Sequence, residues 1–136
     1  MFCYQCEQTA KGTGCNVMGV CGKSAEVSDL QDLLIHAAKG VSMYAHRARL
    51  LGAADRGIDR FVVEALFTTV TNVNFDNIRM AEIIAQAAAV RGKAKKLYED
   101  ACSRAGKQPE ALFGLAAAAL PERASVWIRP RLILQA

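Results

Sequence analysis

Proline is scarce, at three residues in the chain, and alanine is abundant, so little interrupts helix. No alternating pattern is long enough to read as a strand, and no segment repeats. The longest strongly apolar run, Ala111–Leu120, is too short to span a bilayer. The opening Met1-Phe2-Cys3 has neither the basic stretch nor the apolar core of a secretory signal. The patterns GxGxxG and GxxxxGK(S/T) are missing, and so is a nucleophile elbow. Charge is close to balanced, with 17 basic and 13 acidic residues leaving +4. The one basic cluster, Arg91, Lys93, Lys95 and Lys96, lies at helical spacing without interleaved aromatics. It reads as a solvated helix face, not a nucleic-acid interface. Histidine is limited to His36 and His46. Ten residues apart on one helix, they point about 80° apart and make no metal pair.

The apolar fraction of 52% and charged fraction of 22% match a globular chain, and 136 residues is the size of one domain. Such a domain buries roughly two-thirds of the surface its unfolded chain exposes, enough for a core without disulfides. With no leader and no membrane span, the expected location is cytoplasmic. Cysteines stay reduced there, so clustered cysteines point to metal binding or catalysis before disulfides.

Cysteine is where the sequence is concentrated. Four of five cysteines fall within the first 21 residues, spaced C-x2-C-x8-C-x5-C at Cys3, Cys6, Cys15 and Cys21. Two cysteines two residues apart can turn both sulfurs to one point, and the second pair can close a four-thiolate shell. Glycines 12, 14, 19 and 22 let the backbone bend and bring amide N–H groups toward sulfur. Lys11 and Lys23 stand ready to offset negative charge. An iron–sulfur cluster fits four thiolates without histidine. Structural zinc also takes four thiolates, usually from two short knuckles, and only Cys3/Cys6 makes one here. A disulfide pair is a third reading, disfavoured by compartment. Glu7 reads as a polar loop residue, and Cys102 as a small buried hydrophobe on a helix.

Beyond the loop the spacing predicts helices. Ser28 is the expected N-cap of the first, with Gln31 at the capping-box position and an apolar stripe from Leu30 through Leu51. Gly52 closes it. Gly40 lies inside at a cost of roughly 1 kcal/mol, which a close helix–helix contact would explain. A second helix starts at Asp59 and carries Phe61, Val62, Ala65, Leu66 and Val70, and the β-branched run Thr68–Thr71 argues against a long extension. Asn72–Asn74 read as a break. Asn74 or Asp76 caps a third helix running to about Ala105, with Gly106 as its stop and Ile78, Ile84, Ala88, Leu97 and Ala101 on its core face. Pro109 opens a short fourth helix that Pro121 ends. The expected fold is all-α, a cysteine-rich loop packed on an antiparallel helix bundle. It divides into a cluster-binding loop over 1–27, a bundle over 28–120 and an atypical tail over 121–136.

Three stretches carry a resemblance: Phe2-Cys3-Tyr4-Gln5-Cys6-Glu7-Gln8-Thr9-Ala10, Gly14-Cys15, and Gly19-Val20-Cys21-Gly22-Lys23. So do Leu30–Leu34, Lys39-Gly40, and Asp59 to Phe67 leading into Thr71–Asp76. Together they resemble the start of the hybrid-cluster proteins, also called prismane proteins or hydroxylamine reductases, over residues 1 to about 120. The resemblance implies that Cys3, Cys6, Cys15 and Cys21 ligate a 4Fe–4S cluster, the form found at this shorter spacing; wider spacing goes with 2Fe–2S. It implies a relay of electrons from a redox partner protein to a hybrid iron–sulfur–oxygen cluster, where hydroxylamine becomes ammonia and water.

The chain departs from that family in extent. Full members are several times longer, and their hybrid-cluster ligands, His, Glu and Cys from later domains, cannot be assigned here; Cys102 matches none. From Ser125 the tail has no acidic residue and does not read as the family's continuation, so a truncated or frameshifted product is the expectation. No residue is singled out as catalytic. The expected roles are the electron-transfer segment of a hydroxylamine reductase, a stand-alone iron–sulfur carrier, or a structural zinc domain, with neither nucleic acid nor membrane as partner.

Overall fold

Helix ends here are decided by which polar side chains reach free backbone N–H groups. The computed structural model describes residues 1–70 and 75–117. Within them the chain is helical: α1 spans Ala25–Leu50, α2 Arg56–Val70 and α3 Asn77–Arg104, with short 3-10 turns at Ala10–Gly12 and Gly114–Ala116. The single extended pairing among the described residues is an isolated bridge between Cys3 and Cys15. No helix among them is long and apolar enough to cross a membrane.

The cap of α1 is Ser24, not Ser28. Ser24 is extended and its hydroxyl accepts from the Val27 N–H at 3.2 Å. Ser28 is buried one turn inside. Gly52 closes α1 as expected, at φ +77°, with its N–H on the Arg49 carbonyl. α2 starts at Asp55, whose carboxylate accepts from the Ile58 N–H at 2.9 Å. Asp59, the predicted start, sits inside the first turn and pairs with Arg49 at 2.6 Å. α2 carries through Thr68 and Thr69 to Val70, as expected. Their hydroxyls fold back onto the carbonyls of Glu64 (2.7 Å) and Leu66 (2.8 Å). Asp76 caps α3 through the N–H groups of Ile78 and Arg79, and Gly106 ends it at φ +64°. The predicted break at Asn72–Asn74, the helix stop at Pro121 and the tail 121–136 lie outside the described residues.

The buried face of α3 is Met80, Ile84, Ala87, Ala94, Tyr98 and Ala101, at steps of three, four and seven. Ile84 and Ala101 were expected there, and Leu97 packs against its edge. Ile78 was not well placed: two residues before Met80, it points away and is 54% exposed. Ala88 is half-buried. α3 packs most extensively on α1, which contributes Leu34, Ala37, Val41, Tyr44 and Ala48. The two helices run in the same sense, with Gly40 beside Arg91 and Tyr44 beside Tyr98, ring centroids 6.3 Å apart. α2 lies against both. Leu34, Val41, Met80 and Ile84 are fully withdrawn from water, each contributing roughly 1.5–3 kcal/mol.

Pro109 opens no helix. The Glu110 N–H donates to the Tyr98 hydroxyl at 3.1 Å and the Glu110 carboxylate accepts from Arg47 at 3.2 Å, so the chain is drawn back over the α1–α3 seam. It crosses at Gly40, where the Leu115 carbonyl occupies the space a Cβ would need. The close contact that this glycine permits is thus with the 3-10 turn of this returning strap, Gly114–Ala116.

Two glycine substitutions separate packing from helix propensity. Gly40→Ala should lower stability, because overpacking of about 1–3 kcal/mol outweighs roughly 1 kcal/mol of propensity. Gly92→Ala in α3, with open space at its Cβ position, should raise stability by up to about 1 kcal/mol. Urea denaturation of both variants beside the parent checks the opposite signs.

Candidate metal centre

The cysteine loop is organised by backbone first. Cys3 and Cys15 exchange both N–H···O=C bonds at 2.9 Å, which sets their Cα atoms about 5.5 Å apart. The pairing closes because the chain reverses between them. Gly12 and Lys11 take left-handed conformations, and the Thr13 N–H returns to the Ala10 carbonyl at 3.0 Å. Gly14 sits at φ +121° under the Phe2 ring, where a Cβ would run into the aromatic carbons. A second turn follows, with the Gly19 N–H on the Lys23 carbonyl at 2.8 Å and the Gly22 N–H on the Gly19 carbonyl at 2.9 Å. A Cβ at Gly19 would come within 3.0 Å of the Cys21 sulfur, so its absence leaves that sulfur free to turn inward.

These turns bring all four predicted ligands to one place. Cys3, Cys6, Cys15 and Cys21 line a single cavity of about 230 Å³, together with Gln5, Glu7, Gln8, Thr9, Gly19 and Val20. Cys15 is buried, Cys3 partly so, and Cys6 and Cys21 are exposed. All are free thiols. Among the described residues no group of three or more His, Cys, Asp or Glu side chains is arranged to hold a metal ion. By donor chemistry, four thiolates without histidine fit an iron–sulfur cluster or a structural zinc.

Hydrogen bonds prepare the sulfurs. The Ala10 N–H points at Cys15 Sγ from 3.4 Å and the Thr9 hydroxyl lies 3.6 Å away. Donation from the Ala10 N–H, then from the Val20 N–H and the Thr9 hydroxyl, holds the Cys15 thiol below its usual value of 9.0, against the opposing effect of burial. Thr9 is itself buried, and its one hydroxyl proton is shared between Cys15 Sγ and the Cys3 carbonyl, 3.3 Å away.

The least expected member is Lys23. It is fully buried, at 0% exposure, and its ammonium lies 2.6 Å from Gln31 Oε1, 2.8 Å from Gln5 Oε1 and 3.6 Å from Cys3 Sγ. Its position two residues after Cys21 was visible in sequence, but not its burial. Gln31 is no capping-box residue: Ser24 caps the helix, and Gln31 reaches the ammonium from the second turn of α1. Lys11, the other candidate for charge compensation, is exposed. Glu7 lines the cavity mouth from an exposed position. His36 and His46 on α1 and Cys102 on α3 take no part in the cavity lining.

Four cysteines around one cavity on a helical support define a candidate cysteine-ligated centre. The chain belongs to the Prismane/CO dehydrogenase family, whose sequence profile matches residues 1–136. The match includes the segment 121–136 that composition set apart. A protein named hydroxylamine reductase from Rhodospirillum rubrum is 55% identical over 114 residues, covering 84% of this chain and 21% of the relative. Hydroxylamine reductases of Geobacter sulfurreducens (55% over 101 residues, 74% and 18%) and Acidiphilium cryptum (49% over 122 residues, 86% and 22%) are similar. The resemblance read from the cysteine segments is therefore borne out, and the chain spans about a fifth of the length of these relatives.

Gly14→Ala tests the loop's backbone. A Cβ there meets both an unfavourable φ and the Phe2 ring, so the Cys3–Cys15 pairing should open more often. Amide hydrogen exchange at Cys3 and Cys15 should quicken by about tenfold or more, as a loss of at least 1.4 kcal/mol implies, with the α3 core amides unchanged.

Proposed function

We propose that this chain is the N-terminal segment of a hydroxylamine reductase, and that Cys3, Cys6, Cys15 and Cys21 hold a 4Fe–4S cluster passing electrons to a hybrid cluster carried elsewhere in the longer protein. The observation that carries the reading is the shared cavity: four thiols, separated by up to eighteen positions in the chain, line one space. The relatives are named hydroxylamine reductase, and the family resemblance implies ammonia and water as the products. When bound, a cubane of this kind supplies one-electron transfer and no open coordination position.

The chain's own residues have separable tasks in this reading. The Ala10 N–H and the Thr9 hydroxyl favour the thiolate form of Cys15 that ligation requires. The Cys3–Cys15 backbone pair holds two ligands at fixed separation, and Gly19 makes room for Cys21. Cys6 and Cys21, with the exposed Val20 between the turns, leave one side of the loop open. That side is where a redox partner protein, the electron donor, would approach. The reduced state of four clustered cysteines suits a cytoplasmic location.

Protein purified without oxygen should contain about four irons and four sulfides per chain, with a reduced-cubane EPR signal after dithionite. One zinc and no sulfide would overturn the reading in favour of a structural site. Replacing Cys3 or Cys21 by serine should lower retained iron, because an alkoxide is a poorer ligand than a thiolate; unchanged iron in both variants would sink the four-ligand assignment. Because four thiolates leave no metal position open for nitrogen, the 136-residue chain tested alone should not turn over hydroxylamine.

A further inference from the structure

A lysine is almost never fully buried unless something opposes its charge. Lys23 is fully buried, and among the described residues it takes part in no ion pair. Two carboxylates lie nearby, and neither pairs with it. Asp29 pairs with the N-terminus at 3.5 Å. Asp32 is exposed; burial first and Asp29 second raise its carboxyl, against the pull of Lys23 and the N-terminus. What surrounds Nζ is two amide oxygens, Gln5 Oε1 and Gln31 Oε1, and the Cys3 sulfur. Three acceptors match the three N–H bonds of an ammonium. The amide groups satisfy hydrogen bonds but carry no net charge. Of the three acceptors, Cys3 Sγ is the one that can carry negative charge, while Asp32 acts from outside hydrogen-bond reach.

Gln31 carries a second sign of this arrangement. An ammonium has no acceptor, so it forces the Gln31 amide to present its oxygen. The Gln31 Nε2 is left as a buried nitrogen without a hydrogen-bond partner, which costs stability. The side chain accepts that cost to hold the ammonium in place.

We infer that Lys23 is the positioning and charge-compensating residue of this centre: its ammonium, fixed by Gln5 and Gln31 against Cys3 Sγ, raises the reduction potential of the cluster that the four cysteines hold. The inference rests on the cluster reading above. Reduction adds one negative charge to the site, and a fixed positive charge in a low-dielectric surrounding favours the more negative state. Gln31 is part of the device because it sets where the ammonium stands.

The test is a dithionite titration of the anaerobic protein followed by EPR, with iron and sulfide content measured in parallel. Lys23→Gln removes the charge. Gln31→Glu keeps the ammonium and its hydrogen bonds but places a carboxylate on it, cancelling its field. Both should hold iron and have lower midpoints, with the reduced-to-oxidised ratio at the parent's midpoint falling about tenfold, or 59 mV for a one-electron couple. If Lys23→Gln does not load, the Gln31→Glu midpoint decides. A loaded Gln31→Glu protein with the parent's midpoint overturns the inference. A folded Gln31→Glu protein that cannot hold iron supports the compensating role, since all of Lys23's hydrogen bonds remain in it and its charge alone is cancelled. A parent protein without iron and sulfide would instead remove the cluster reading, and this inference with it.

Discussion

An ammonium withdrawn from water costs several kcal/mol unless its hydrogen bonds are replaced and its charge opposed. At Lys23 the replacement comes from two sides: Gln5 on the cysteine loop and Gln31 on the second turn of α1. The same residue's carbonyl accepts from Gly19 and so closes the turn that carries Cys21. One side chain therefore touches the environment of Cys3 through its head and of Cys21 through its backbone, while tying both to the helix. Hydrogen bonds to a charged group contribute roughly 1.5–3 kcal/mol each, enough to make this the anchor of an otherwise exposed loop. Ser24 follows at once as the α1 cap, so anchor and helix start are adjacent in the chain.

α1 then transmits that anchorage into the core. Its buried stripe meets α3 along most of its length and α2 at its side, and the strap after α3 returns to it at Gly40. The cysteine loop thus sits on the helix that makes the most contacts in the described structure, and no site residue is carried by α2 or α3.

Much of this was legible beforehand because it depends on local chemistry. Gly52 and Gly106 end helices since only a left-handed residue fits there, and Asp76 begins one since its carboxylate reaches two N–H groups. The four cysteines were legible by type and clustering. Errors arose where several residues competed for one role. Ser24 and Ser28 are both plausible caps, and the backbone conformation that decides between them is not written in either. Asp55 and Asp59 pose the same choice. Ile78 looks like a core residue by polarity, but its phase against Met80 and Ile84 turns it outward. The burial of Lys23 was illegible for a stronger reason: lysine is a surface residue by default, and only the three-dimensional meeting of Gln5, Gln31 and Cys3 reverses that. Pro109 failed as a helix start because Tyr98 and Arg47, both distant in sequence, claim Glu110.

The polar contacts described for the loop all close within the first 31 residues, from the Met1–Asp29 pair to the Lys23–Gln31 bond. Loops this short close on a timescale of tens to hundreds of nanoseconds. The turns around the four cysteines therefore need only the first two turns of α1 as a partner, and their geometry is insulated from changes in α2 and α3.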